Sequence, residues 1–292
     1  MYKLKIRLDS KDFPAIEPLL YELISWGWEE EESRDSKILT IYFDVEQNGQ
    51  NFRNQMLEQC PDARVIEETF SDPSDWENAW REFFRPIDID GRFQVLPDWL
   101  STDDKDRIPI IITPKMAFGT GHHATTHLCL QALSRLHDQA LPGPGTVFLD
   151  LGTGSGILGI ACAKLGMSGL GLDIDPVAVE NARENIKNNV VQENFKALEG
   201  DISALGPGSK FNLILANILS STLNQLAPDI VKHLSSPGVL ILSGILTEQA
   251  DAVAHRYRQF GLGEPLMLKR DEWSALIWIK GTSKDEPERL VA

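Results

Sequence analysis

The sequence predicts an α/β protein: an open, doubly wound sheet of seven strands ending in an antiparallel hairpin, preceded by a small α+β unit. Three observations carry this. From Val147 onward, short apolar runs alternate with amphipathic helical stretches, the pattern of a mostly parallel sheet covered on both faces. The last two apolar runs are separated only by a short polar turn, which pairs them antiparallel. The first seventy residues read in the order β-α-β-β-α-β, a ferredoxin-like unit.

Taken in order, Tyr2–Leu8 alternates with period two and reads as a strand. Asp12–Gly27 reads as a helix, with Asp12 at the N-cap position, Pro14 and Pro18 in the early turns and Gly27 as the stop. Trp28–Ser33 is polar and reads as an edge strand; Lys37–Asp44 is β-branched and aromatic and reads as a strand. Asn51–Cys60 reads as a short helix and Ala63–Phe70 as the closing strand. Residues 1–70 form the first domain on this reading, and 71–107 the connection to the second. That connection opens with a helix whose Trp76, Trp80, Phe83 and Phe84 share one face, read as packing aromatics.

The second domain spans 108–282. It begins with a buried strand, Ile108–Thr113. Strands then fall at 146–152, 169–175, 195–201, 211–219, 238–246, 264–270 and 274–280, with helices at 157–166, 176–189, 222–234 and 247–261 between them. Residues 283–292 read as a loose tail.

The chain carries 28 Lys and Arg against 43 Asp and Glu, a net charge of −15. Such a surface repels phosphate backbones, so direct nucleic-acid binding is not expected, and it attracts a basic partner. The first seventy residues hold eight basic against fifteen acidic side chains. Glu29–Glu32 form an acidic block there, either a solvated strand edge or a docking face for a basic protein. Cys60, Cys129 and Cys162 form no paired motif, which suits a reducing compartment. The start reads as a strand and not a signal peptide, and no apolar run is long enough to span a bilayer. A cytoplasmic protein without a membrane partner is expected, and a monomer.

Two glycine-rich loops lie close together: "MAFGTGHHATTHLCLQAL" from Met116 and "VFLDLGTGSGILGIACAKLG" from Val147. The second can be read in two registers. Gly152, Gly154 and Gly156 make a GxGxG; Gly154, Gly156 and Gly159 make the GxGxxG of dinucleotide sites. The strand ends at Leu151, which favours the first register. Asp150, just before the turn, suits a ligand ammonium and is awkward beside a pyrophosphate. Asp173 ends the next strand and can accept ribose hydroxyls. Asp201 ends the third and can take an adenine amino group. This spread of carboxylates points to S-adenosylmethionine, which has an ammonium, a sulfonium and an adenosine but no phosphate. Asn217, polar at the carboxyl end of an apolar strand, lies where open α/β sheets bind ligands, and its amide oxygen can accept from an amine. His123 and His127 are four apart, but Ala124 stands where a zincin needs Glu and no third ligand is evident; no metal is expected.

With "WENAWREFFRP", "AFGTGHHATTHLCLQAL", "LDLGTGSGILGIACAKLG", "GLDIDPVAVENARENI" and "LILANIL", the chain resembles the class I S-adenosylmethionine-dependent methyltransferases. More closely, and over nearly its whole length, it resembles the PrmA family, which methylates ribosomal protein L11 of the large subunit. The resemblance implies a Rossmann-like seven-stranded sheet and an N-terminal domain that captures the basic substrate. It implies a first loop folded over the methionine end of the cofactor and a second turn beneath it, which accounts for two such loops in one chain. It implies cofactor contacts from Thr126, Gly152, Asp173 and Asn217, with Asn217 also beside the target amine as the catalytic residue. Phe118, Gly119, Thr120, Asp150, Gly154, Gly156 and Asp201 complete the expected set. The acceptors implied are lysine ε-amino groups, the N-terminal α-amino group, or both. The family loop reads GTGTHPTT where this chain has His122 and Ala124 for Thr and Pro, and losing Pro removes a φ restraint. The alternatives are methylation of another basic protein or a small amine, an NAD-dependent oxidoreductase on the shifted register, or an RNA-binding unit joined to a methyltransferase. The acidic first domain argues against the last.

Overall fold

The computed structural model describes residues 2–24, 28–33, 35–43, 45–70, 86–102, 104–113, 123–141, 143 and 145–281. Contacts group the chain into two units, Met1–Arg85 and Pro86–Ala292.

The first unit contains β1 (Tyr2–Asp9), α1 (Phe13–Leu23), β2 (Glu29–Ser33), β3 (Ser36–Phe43), α2 (Glu46–Gln59) and β4 (Arg64–Phe70). Its sheet order, β2-β3-β1-β4, all antiparallel, is that of a ferredoxin-like unit. The period-two pattern of β1 buries Tyr2, Leu4, Ile6 and Leu8 against Ile16 and Leu20 of α1 and Phe52 and Met56 of α2. The other face is charged: Lys3 pairs with Glu67 at 2.8 Å and Lys5 with Glu31 at 2.9 Å, while Lys37, in register with Leu8 on the helix side, pairs with Glu30 at 2.9 Å and lies over the Phe13 ring. The acidic block lies on the exposed edge strand β2.

Two local expectations differ. Helix α2 starts five residues before Asn51, at Glu46. Asn48 and Gly49 in its first turn are poor helix formers, but Gly49 lets the helix rest on Tyr2, where a Cβ would lie 2.0 Å from Cδ1. Asp12 takes the N-cap position but its side chain makes no capping bond. Gly27, the aromatic helix expected within 71–85 and the tail lie outside the described residues.

The second unit opens with a three-stranded sheet, β5 (Ile87–Ile89), β6 (Phe93–Pro97) and β7 (Ile108–Ile112), so part of the stretch read as a connection is strand. Helix α3 (Ala124–Asp138) follows. The seven-stranded sheet contains β8 (Val147–Leu151), β9 (Ser168–Asp173), β10 (Phe195–Glu199), β11 (Phe211–Asn217), β12 (Leu234–Leu246), β13 (Leu266–Arg270) and β14 (Trp273–Lys280). Its order is β10-β9-β8-β11-β12-β14-β13; the first five run parallel, and β14 is antiparallel to both neighbours. Helices α4 (Ile157–Lys164), α5 (Pro176–Asn188), α6 (Ser220–His233) and α7 (Ala250–Arg258) cover it.

Both faces of this sheet are buried, which is why "LILA", Leu213 to Ala216, is a continuous apolar run. Leu213 and Leu215 point into a core with α3, α4 and α5; Ile214 and Ala216 point into one with α6 and α7. Among the described residues no helix is long and apolar enough to cross a membrane.

Candidate functional site

The chain runs outward from β8 to β9 and β10, then crosses back to β11 on the other side of β8. Strand order therefore reverses between β8 and β11. The crevice outside the carboxyl ends at such a point is where open α/β sheets take ligands. Asp150 pairs across this boundary with Leu215, and Asn217 ends β11 two residues later.

After Leu151 the chain must reverse tightly into α4. Gly152, Gly154 and Gly156 all have positive φ, +71°, +54° and +82°, a region that suits residues without a Cβ. Gly152 N and Thr153 N both donate to Leu172 O of β9, at 2.8 and 3.0 Å. The turn thus starts at Gly152, and Gly159 lies inside the helix. There a Cβ would meet Phe195 Cζ at 2.2 Å, so Gly159 serves close packing.

Asp150 is 1% exposed. Its Oδ2 accepts from Thr153 Oγ1 at 2.7 Å and from Gly159 N at 3.1 Å. Its Oδ1 is buried without a partner among the described residues. Burial pushes this carboxyl up to about 6, Thr153 and Gly159 pull the other way, and the charge of Asp173 adds to the rise. A helix N-terminal donor that could have met a phosphate is engaged by a protein carboxylate instead.

Asp173 sits at the end of β9. Its Oδ2 accepts from Gly154 N at 2.9 Å and its Oδ1 from Asp175 N at 3.1 Å, so it also holds the glycine turn in place. Asp175 caps α5 through Val177 N at 2.8 Å. Asp201 follows β10, is exposed, and accepts from Ser203 N at 2.7 Å at the start of a 3₁₀ turn, 202–204. Those Ser203 hydrogen bonds hold its carboxyl below its ordinary value.

Asn217 Nδ2 donates to Thr126 Oγ1 at 3.3 Å, joining the end of β11 to the first turn of α3. Asn217 Oδ1, like Asp150 Oδ1, is buried and unpartnered among the described residues. Helix α3 is capped by His123, whose Nδ1 accepts from Thr125 N at 3.3 Å. The His123 ring packs edge-on to Trp273 at 5.0 Å, and burial lowers its pKa and that of His127.

Asp150, Gly152, Gly154, Gly156, Asp173, Asp201, Thr126 and Asn217 therefore gather along one edge of the sheet. Phe118, Gly119, Thr120 and His122 lie outside the described residues. Sequence reasoning misses two groups. Asn185 Oδ1 accepts from Thr113 N at 2.9 Å and its Nδ2 donates to Ser155 O at 2.8 Å, tying the end of β7 to the glycine turn. Gly244 sits inside an apparently plain strand, where a lone glycine is the available signal of a bulge.

Residues 17–281 match the family model described as Ribosomal protein L11 methyltransferase (PrmA). The ribosomal protein L11 methyltransferase of Syntrophotalea carbinolica is 39% identical over 258 residues, 84% of this chain and 82% of that protein. That of Photorhabdus laumondii is 36% identical over 277 residues, 93% and 88% of the two chains. A crystal structure of ribosomal protein L11 methylase from Lactobacillus delbrueckii subsp. bulgaricus superposes with a TM-score of 0.60 at 31% identity, covering 68% of this chain and all of that one. The chain belongs to the ribosomal protein L11 methyltransferase (PrmA) family.

Proposed function

We propose that this protein transfers methyl groups from S-adenosylmethionine to amino groups of ribosomal protein L11, at lysine ε-amino groups, the N-terminal α-amino group, or both. The observation that carries the reading is a pair of buried oxygens without a partner among the described residues, Asp150 Oδ1 and Asn217 Oδ1, at the ends of the two strands where the sheet order reverses. A buried polar atom without a partner is costly, and a ligand that supplies donors there relieves the cost. The donor set fits the cofactor: a carboxylate for an ammonium, a cradle of left-handed glycines, and acids at the ends of β9 and β10 for an adenosine.

S-adenosylmethionine, when bound, supplies a methyl group on a sulfonium sulfur that an uncharged amine displaces. Asp150 offers Oδ1 to the cofactor's ammonium, and Asp173 and Asp201 offer oxygens to its adenosine. Asn217 Oδ1 accepts an N–H of the target amine and directs its lone pair at the methyl carbon. A lysine ordinarily titrates at about 10.4, and burial in this crevice favours its neutral form. No side chain acts as a nucleophile; alignment and exclusion of water carry the rate.

Residues 1–70 capture the substrate on this reading, 71–107 connect, 108–282 hold the cofactor and 283–292 form the tail. The acidic first unit favours a basic protein over nucleic acid. The protein works in the cytoplasm as a monomer, without a metal. Calorimetry with S-adenosylhomocysteine and, separately, NADH tests the cofactor; binding of NADH alone would refute the reading. Transfer of labelled methyl to purified ribosomal protein L11 tests the substrate. Asn217→Ala is expected to bind S-adenosylhomocysteine somewhat more weakly and to lose turnover far more, and near-normal turnover would remove Asn217 from the mechanism.

A further inference from the structure

Gly244 lies in β12 with φ +80°. Leu242 pairs with Leu276 of β14 and Ile245 with Ser274, so Ser243 and Gly244 together oppose a single residue, Ala275. That is a β-bulge. Two fully buried serines stitch it: Ser243 Oγ donates to Ser274 O at 3.0 Å and Ser274 Oγ to Ile245 O at 3.2 Å. On its other side β12 pairs Ser243 with Asn217, so the bulge lies beside the end of β11.

The chain leaving Asn217 uses the space the bulge provides. A Cβ on Gly244 would lie 2.4 Å from the carbonyl oxygen of Ile218 and 2.9 Å from its carbonyl carbon. The Ile218 side chain meanwhile fills the notch at Gly152, where a Cβ would lie 2.3 Å from Cγ2. The residue after Asn217 is thus held between the cofactor turn and the bulge, by backbone on one side and side chain on the other.

We propose that Gly244 is a positioning residue for methyl transfer: its bare α-carbon lets the Ile218 backbone lie on β12, which fixes the Asn217 amide with Nδ2 on Thr126 and Oδ1 free for the amine. This rests on the role given to Asn217 above. Gly244 touches no reacting atom and acts only through the turn laid across it.

The test compares Gly244→Ala with Gly261→Ala, which has φ +90° and nothing within 4 Å of an added Cβ. Both suffer the backbone strain of a left-handed alanine, but one alone displaces the Asn217 turn. Turnover of labelled S-adenosylmethionine with ribosomal protein L11 and calorimetry with S-adenosylhomocysteine are measured for each. Gly244→Ala should lose about 100-fold in kcat, the scale of misplacing an aligned group. Its loss of cofactor affinity should stay much smaller, and Gly261→Ala should keep its kcat. Combined with Asn217→Ala, the Gly244 change should slow turnover no further, because both act through one amide.

Wild-type kcat in Gly244→Ala, or full additivity with Asn217→Ala, overturns the proposal. Near-normal turnover in Asn217→Ala alone would instead overturn the underlying assignment. If Gly244→Ala does not fold, Ile218→Ala loosens the same turn from its other side. It should lower kcat more than cofactor affinity, and an unchanged kcat there also refutes the proposal.

Discussion

Replacing Asp150 by asparagine separates the two consequences of burying that carboxyl. The group titrates at about 6 in the folded protein against an ordinary 3.8. Between those values the folded state holds a proton that the unfolded chain has released. Stability from this group is therefore greatest below about pH 4, falls as pH rises through the window, and levels off above about 6. At about 1.36 kcal/mol per pH unit, the wild-type protein is destabilised by about 3 kcal/mol at pH 7 relative to a form in which this site stays neutral. The amide that Asp150→Asn introduces is neutral throughout. Its oxygen still accepts from Thr153 and Gly159, while its NH₂ occupies the unpartnered position at a cost that does not change with pH.

The assay is urea unfolding of both proteins at matched pH from about 4 to about 8, read as the difference in ΔG so that other titrating groups cancel. The stability of Asp150→Asn relative to wild type should rise by about 2.4 kcal/mol between about pH 4 and about pH 7, whatever its starting offset. A difference independent of pH would refute the raised pKa. Calorimetry on the same samples tests the ligand. If the ammonium needs the ionised carboxylate, wild-type affinity for S-adenosylhomocysteine should climb about tenfold per pH unit up to about 6 and then flatten, with no such climb in the variant. A flat wild-type curve alongside a sloping stability difference would keep the pKa and remove the ammonium contact.

Asn185→Ala strips partners from Thr113 N and Ser155 O and should cost about 3 kcal/mol in urea unfolding, with a loss below about 1 kcal/mol showing that water replaces the amide. Phe195→Ala removes a fully buried ring that packs against Phe148 and seats Gly159 and Gly171. It should cost about 3–5 kcal/mol and weaken S-adenosylhomocysteine binding, since the ring backs the glycine turn; unchanged affinity in a destabilised protein would show that the turn holds its shape without it.

The seven strands are legible in the sequence because each is an apolar run bounded by turn chemistry and followed by a helical period or a tight turn. Asp150, Gly152, Asp173 and Asn217 are legible for a related reason: a polar residue or glycine that ends an apolar run is an anomaly the pattern itself exposes. What stays hidden depends on tertiary contact. Asp173 reads as a ligand acid, yet its carboxylate already accepts two backbone N–H groups, a pairing set by how β9 meets the glycine turn. Helix α2 begins earlier than its residues favour because Gly49 fits against Tyr2 of β1, a contact that exists only once the helix lies on the sheet. The Asn185 bridge joins residues 72 and 30 positions apart, and no local pattern announces it.

Cofactor choice in this fold follows from where the buried negative charge sits. A helix N-terminus behind a glycine turn favours anions, and dinucleotide sites use it for a pyrophosphate. Here Asp150 reaches the same donors from within the strand: Gly159 N and Thr153 Oγ1 both point at its Oδ2. The preference for an anion is thus satisfied internally, and the carboxylate's second oxygen stays buried without a partner among the described residues. A phosphate would meet like charge in a poorly solvated place, whereas an ammonium would meet an acceptor that lacks a donor among the described residues. The shifted GxGxxG register is present in the sequence, but its third glycine packs on Phe195 and donates to Asp150, so the same letters serve packing and charge placement. On the proposed reading, Asp150, one residue before the last of its strand, discriminates between cofactors where the glycine pattern does not.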